Sequence, residues 1–319
     1  MSGPWVPVVH AAVAGRADEA DTIEAAERVC DAVARAGFRS EVIALGLDLT
    51  CFTDIAVASP HVVFNMVEAI DGSGKLLPLA PLVLEHLGIP FTGVGAEAAI
   101  VTGSKILTKQ ALRAHGIPTP DWWERGPAEA DAVIVKSVWE HGSLGIDCGS
   151  VVAGANAAFE VASREARFGG RFFAEAYIEG REFNVALLDG EVLPIPEMTF
   201  TLPVGRPAIV DFEAKWMEES VAYRGANRRF GLERTDGRLA SRLADTARAC
   251  WAALGLSGYA RVDFRVGDDG VPQVLEVNAN PGLGRDAGFV AAAEAAGLSF
   301  DDLVIRILQI AEQGRRAAA

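Results

Sequence analysis

Residues 259–282 hold the densest set of side chains that could do chemistry: Tyr-Ala-Arg-Val-Asp-Phe-Arg-Val-Gly-Asp-Asp-Gly-Val-Pro-Gln-Val-Leu-Glu-Val-Asn-Ala-Asn-Pro-Gly. Alternation over 259–266 and 271–277, with Gly267 to Gly270 between them, predicts a β-hairpin. One face then carries Arg261, Asp263 and Arg265, and the other Val262, Phe264 and Val266. On the return strand Glu276 and Asn278 share a side. Asp263, Glu276 and Asn278 offer oxygen ligands only, two of them charged, as Mg²⁺ prefers. Arg261 beside them suits a carboxylate or a developing oxyanion. An exposed hairpin with solvated charges would carry the same pattern. The Asn-Pro-Gly that ends the strand straight after the carboxylate is what points to a site.

Other pieces are weaker alone. Lys136 closes the apolar run from Ala132, five residues before the loop His141-Gly-Ser-Leu-Gly-Ile. A lysine ending a buried strand needs a partner, and backbone N–H groups of such a loop can cradle phosphate oxygens while the ammonium neutralises charge. Glycine turns after strands are more often only turns. Within 172–183, Glu175 and Glu182 would suit the amino edge of adenine and a ribose diol, although solvated strand glutamates read the same way. Lys215, in Asp-Phe-Glu-Ala-Lys-Trp, is by itself an ordinary loop lysine. His10, His61, His86, His115 and His141 show no metal-ligand spacing, and only His141 is placed to touch a ligand.

The elements that must position these residues follow from periodicity. Strands are predicted over 5–13, 39–45, 61–66 and 89–92, with helices over 22–36 and 74–87, which indicates a parallel sheet of four strands closing near residue 98. A helix over 102–115 carries Lys105 and Lys109 one turn apart and stops at Gly116 and Pro118. Strands at 132–136 and 171–175 flank a helix over 154–167, a small α+β unit. A second hairpin, 182–188 and 191–195, turns at Asp189-Gly190. The stretch up to about 230 reads as loop, 236–254 as a long helix, and 287–296 and 300–313 as two closing helices.

Composition narrows the class. Lys plus Arg total 29 against 43 Asp plus Glu, a net charge of −14, which argues against nucleic acid or an anionic membrane as partner. No secretory leader and no apolar run of about 18 residues is present, so a cytoplasmic protein is expected. Cys30, Cys51, Cys148 and Cys250 lie far apart, as reduced thiols would.

In this order the pieces resemble the ATP-grasp carboxylate-amine ligases, most closely the D-alanine–D-alanine ligase branch, over nearly the whole chain. The motifs are Phe64-Asn-Met-Val-Glu, Leu87-Gly-Ile-Pro-Phe-Thr-Gly, Ser104-Lys-Ile-Leu-Thr-Lys with Gly116-Ile-Pro-Thr-Pro, Val135-Lys136, Glu175 to Glu182, Glu213-Ala-Lys215, and Arg261-Val-Asp-Phe through Glu276-Val-Asn-Ala-Asn-Pro-Gly. The resemblance implies an α/β fold of α+β subdomains: an N-terminal parallel-sheet domain (1–98), a central lid subdomain (99–176) and a C-terminal catalytic subdomain (177–319). It implies Lys105, Lys136 and Lys215 on ATP phosphates, Ser143 in the phosphate loop, Glu175 and Tyr177 at the adenine hinge, and Glu182 at the ribose. Asp263, Glu276 and Asn278 would hold a pair of Mg²⁺ ions, with Mn²⁺ as a substitute. Arg261, Lys215 and the Gly282 backbone would serve the reacting acyl centre, and a homodimer is compatible with the family.

The chain also departs from the pattern. The usual Gly-Ser-Ser-Val-Gly loop is His141-Gly142-Ser143-Leu144-Gly145, and the tyrosine after Glu-Ala-Lys is Trp216. In the family that Ser and Tyr join an N-terminal glutamate in a hydrogen-bonded triad; here the glutamate's place falls near Glu19 or Asp21. The Ser-His-Ser beyond Pro-Gly is replaced by Gly284-Arg285-Asp286-Ala287-Gly288, so Asp21, His141, Trp216 and Arg285 are the expected substrate contacts. The expected chemistry joins a small-molecule carboxylate to an amine through an acyl phosphate, with an amino-acid substrate other than a D-alanine pair. D-alanine–D-alanine ligation proper, intramolecular ring closure, bicarbonate-dependent carboxylation and nucleotide binding without turnover are the alternatives.

Overall fold

The computed structural model describes residues 3–12 and 17–318. Val13, the expected end of the first strand, and the side chain of Glu19 lie outside the described residues. The first layer comprises β1 (Val8–Ala11), α1 (Ala17–Arg35), β2 (Val42–Leu45), α2 (Thr50–Ala58), β3 (Phe64–Asn65) and α3 (Leu79–His86). Its sheet is parallel, in the order β2-β1-β3. Val8, Val9 and Phe64 are wholly buried in it, which is why these short apolar runs are strands rather than helices. The expected fourth strand is reduced to one parallel bridge between Val63 and Phe91. Pro90 has no N–H to extend a ladder, and only its carbonyl is used, by Val63 N–H at 2.8 Å.

Two helices follow, α4 (Ala96–Thr102) and α5 (Lys105–Ala114). The predicted helix therefore starts three residues later than expected, because the Ser104 hydroxyl accepts from Leu107 N–H and caps α5. The second sheet contains β4 (Trp122–Trp123), β5 (Ala132–Ser137), β6 (Val151–Ala153) and, beyond α6 (Ala157–Phe168), β7 (Phe172–Ala176). Its order is β4-β7-β5-β6, antiparallel throughout.

The third sheet is the largest. It is built from β8 (Arg181–Leu188), β9 (Glu191–Val192), β10 (Glu197–Phe200), β11 (Ala226–Arg229), β12 (Tyr259–Val266) and β13 (Pro272–Asn278). Strand order is β11-β10-β8-β12-β13, with β9 paired to β8. The expected loop up to about 230 thus contains structure: β10, α7 (Phe212–Trp216), α8 (Val221–Gly225) and β11. Asp211 and Ser220 accept from Ala214 and Tyr223 N–H and cap the two short helices, too brief to leave a periodic signal. After α9 (Leu232–Thr235), helix α10 (Gly237–Ala253) packs on one face of this sheet, burying Val262, Phe264, Val274 and Val277. α11 (Gly288–Ala295) and α12 (Phe300–Ala318) close the chain, and their apolar faces share a core with α1 and β1.

A register shift between Asp263 and Phe264 decides what the site receives. Asp263 faces Glu276, but Phe264 faces Val274, so Leu275 is an extra residue on β13. Without the bulge, Val274 and Glu276 would share a face. With it, Val274 enters the core while Glu276 joins Asp263 on the opposite side. No described helix is long and apolar enough to cross a membrane. All four cysteines are free, and burial raises the Cys51 and Cys250 thiols to about 11 and about 12.

Candidate active site

The polar face of the third sheet forms one wall of the site. Arg261 donates through Nε and Nη2 to the two oxygens of Asp263, both at 2.7 Å, and Asn184 Nδ2 donates to Asp263 Oδ1 at 2.8 Å. Burial would lower the Arg261 pKa, but the Asp263 charge outweighs it and raises it. Across the bulge, Glu276 Oε1 lies 2.5 Å from His141 Nδ1, and Lys105 Nζ is 3.8 Å from Oε2. Burial alone would raise the Glu276 pKa; Lys105 and His141 overcome it and hold the carboxyl well below its usual range. Asn278 Oδ1 accepts from Asn280 N–H at 3.0 Å, fixing the Asn-Pro-Gly turn.

The second sheet forms the other wall. Lys136 Nζ and Lys109 Nζ sit 2.5 and 2.6 Å from the two oxygens of Glu175, which is 1% exposed. Two ammonium groups overcome burial and depress the Glu175 pKa. Its carboxylate is occupied by two lysines, because an unpaired buried charge would be costly. Lys109 also donates to Thr119 Oγ1 and the Pro120 carbonyl. Glu182 accepts from Arg265 Nη2 at 2.7 Å, and Arg265 stacks 5.7 Å from the Tyr177 ring centroid.

The glycine loop bridges the walls. Gly142 and Ser143 take positive φ, 69° and 63°. Ser143 Oγ donates to the Val210 carbonyl at 2.7 Å, so this hydroxyl tethers the loop rather than facing phosphate. Trp216 Nε1 donates to the Gly142 carbonyl at 2.9 Å, and Lys215 Nζ stacks 5.1 Å from the Trp216 ring centroid. Desolvation and then the nearby Arg261 charge lower the Lys215 pKa.

The first layer adds two acids. A methyl on Gly284 would lie 2.5 Å from Asp21 Oδ1, so glycine there lets Asp21 reach the site. Desolvation, then Glu24, raises the Asp21 pKa. Glu68, missed as a candidate, stands 3.4 Å from where a Gly282 methyl would be, and desolvation raises its pKa. Asn280 Nδ2 holds the preceding Val67 carbonyl at 3.0 Å. The readable signal was an acid ending an apolar strand, the logic that singled out Lys136. Arg285 Nε donates to Glu24 at 2.7 Å, and its side chain is 71% exposed. Gly284 to Ala287 form a turn, closed by the Ala287 N–H to the Gly284 carbonyl at 3.1 Å, that carries Arg285 at the surface.

Among the described residues no three His, Cys, Asp or Glu converge as a metal cluster. Two carboxylates and an amide oxygen on one face fit Mg²⁺, which takes few protein ligands and completes its octahedron with water and phosphate oxygens.

Known proteins share this arrangement. A family model described as the D-ala D-ala ligase C-terminus matches residues 130–309. The chain is 36% identical over 281 residues to a D-alanine–D-alanine ligase of Chromohalobacter salexigens, covering 85% of this chain and 84% of the other. A D-alanine–D-alanine ligase of Moorella thermoacetica is 32% identical, with 88% and 91% covered. The crystal structure of the Bacillus anthracis D-alanine–D-alanine ligase complexed with ATP matches in fold, with a TM-score of 0.78 over 99% of this chain and 100% of that one, at 21% identity. The mixed α/β architecture, the family model spanning more than half the chain and the 36% relative agree: the chain belongs to the D-alanine–D-alanine ligase family of ATP-grasp enzymes.

Proposed function

We propose that the protein is an ATP-dependent ligase that joins two molecules of D-alanine. The observation that carries the reading is the convergence of Lys105, Lys136, Lys215, Arg261, Asp263 and Glu276 on one cleft, in a chain 36% identical to such a ligase. Lys105, Lys136 and Lys215 neutralise the ATP phosphates. Asp263, Glu276 and Asn278 would hold Mg²⁺, whose charge would help stabilise the transferring phosphoryl group. The first D-alanine presents its carboxylate to the γ-phosphate and becomes an acyl phosphate with release of ADP. Asp21 and Glu68 supply negative charge for its ammonium. The amine of the second D-alanine then attacks the acyl carbon, Arg261 and the Gly282 N–H stabilise the oxyanion, and phosphate leaves.

The departures at 142 and 216 argued for a different amino acid. What supports D-alanine is the similarity to D-alanine ligases and the Trp216–Gly142 hydrogen bond, which ties the glycine loop to α7 without a serine or a tyrosine. The second reading, another amino acid, is favoured by the larger indole beside Lys215. The test supplies ATP, Mg²⁺ and amino acids singly and in pairs, measuring ADP and dipeptide, with Glu276→Gln as an inactive control. D-alanyl-D-alanine with D-alanine preferred is expected. ADP release only with another amino acid would replace the first reading by the second, and none with any carboxylate would overturn both.

A further inference from the structure

A ligase needs to treat the two carboxylates differently. The first reacts, so it belongs beside Lys215 and Arg261. The second is a spectator that must be held while its neighbouring amine reaches the acyl carbon. Arg285 is paired at the surface with Glu24.

The register of the third sheet supplies another arginine. Arg228 on β11 faces Met198, which faces Glu182, which faces Arg265. Directly opposed residues share a sheet face, so Arg228 projects on the same side as Arg261 and Asp263. Its neighbour Arg229 projects on the other side and pairs with Glu197 at 2.7 Å. Arg228 has no hydrogen-bond or ion-pair partner among the described residues, and it is exposed. A methyl on Gly288 would lie 3.5 Å from Arg228 Nε, which sets the guanidinium against the first turn of α11. Asp286, the acid nearest it, takes a long 3.5 Å hydrogen bond from Tyr223 and makes no ion pair with Arg228. Desolvation, and then the like charge of Arg261, lower the Arg228 pKa and outweigh the opposing charge of Asp286.

We propose that Arg228 binds the unreactive carboxylate of the second, amine-donating amino acid and so determines specificity for that substrate. The placement fits: β11 is three strands from β12 and Arg228 is level with Arg265, four residues from Arg261, so the two arginine backbones lie roughly 20 Å apart. Two long arginine side chains on one face then bracket a space the size of a small amino acid. The inference rests on the ligase reading above and adds the residue that selects the second substrate.

The test compares the wild-type protein with Arg228→Met and Arg228→Lys, using D-alanine and D-alaninamide as amine donors. With Arg228→Met, KM for the second D-alanine should rise roughly 10- to 100-fold, the scale of a charge-assisted hydrogen bond, while KM for ATP stays put. Arg228→Lys should recover part of the loss, and D-alaninamide should be used almost equally by wild type and Arg228→Met. An unchanged KM for D-alanine, an equal loss with D-alaninamide, or a rise in KM for ATP instead would overturn the inference. A wild-type protein that releases no ADP with any amino acid would overturn the ligase reading and this inference with it.

Discussion

The contact between Trp216 and Gly142 can be taken apart one group at a time. Trp216→Phe removes only the donor of the 2.9 Å bond to the Gly142 carbonyl and keeps the ring over Lys215. The carbonyl is half-buried, so water can partly replace the indole, and the loss should sit near ~1 kcal/mol of the usual 0.5–1.5. Ser143 and the Phe212 N–H to Ile146 carbonyl bond still tie the loop to 210–216. The effect should therefore be local: about fivefold lower hydrogen-exchange protection at 141–146 with little change in Tm. Gly142→Ser adds a Cβ 3.6 Å from Trp216 Cζ2, ordinary contact, but at φ 69°, which costs a non-glycine residue ~1 kcal/mol or more. In Gly142→Ser/Trp216→Tyr the two hydroxyls can bond to each other, so the double variant should do better than the sum of its parts. The assay is a double-mutant cycle on loop protection and on kcat/KM. Additivity within about 0.5 kcal/mol, or unchanged protection in Trp216→Phe, would refute the reasoning.

Two further outcomes follow from the buried charges. Lys136→Met should weaken ATP binding and also destabilise the fold by ~1–3 kcal/mol, less than a full broken pair because Lys109 remains on Glu175; calorimetry and thermal melts measure the two effects, and an unchanged Tm would contradict the second. Glu68→Gln should lower ligase kcat/KM while raising Tm at neutral pH. The Glu68 pKa is raised above its ordinary 4.5, so the native state holds the proton longer than the unfolded chain. Wild-type stability then falls as pH rises from 4.5 through the raised value, and the Tm gap to Glu68→Gln should widen over that window and close below it. A gap that narrows toward neutrality would reverse the sign of the argument.

Most of the frame was legible because it is local. Alternation placed Arg261 and Asp263 on one face and Val262 and Phe264 on the other, and the Asp189-Gly190 hairpin formed where its turn residues required. What the sequence hid is non-local or short. The Leu275 bulge left one trace, the apolar spacing Val274 to Val277, which a regular strand cannot bury on one side. Strand β11 is polar along its length, since it lies at a sheet edge beside the cleft, and so Arg228 was read as loop. Glu24 capturing Arg285 depends on α1 meeting the Asn-Pro-Gly turn, a contact across more than 250 residues.

The acidic net charge and the cationic cleft are reconciled by where the carboxylates sit. Lys105, Lys109 and Lys136 would each cost several kcal/mol if buried alone. Glu276 and Glu175 stand against them, and both carboxyls stay ionised because the lysines outweigh burial. Each wall is thus close to neutral by itself, which lets the fold carry phosphate-binding lysines without a basic surface. Lys215 and Arg228 differ: neither has an acceptor within hydrogen-bond distance among the described residues, and burial lowers both pKa values. An anion entering the cleft would gain most beside these two. On the ligase reading proposed above, the stability that the chain forgoes at Lys215 and Arg228 is affinity held for two different anions.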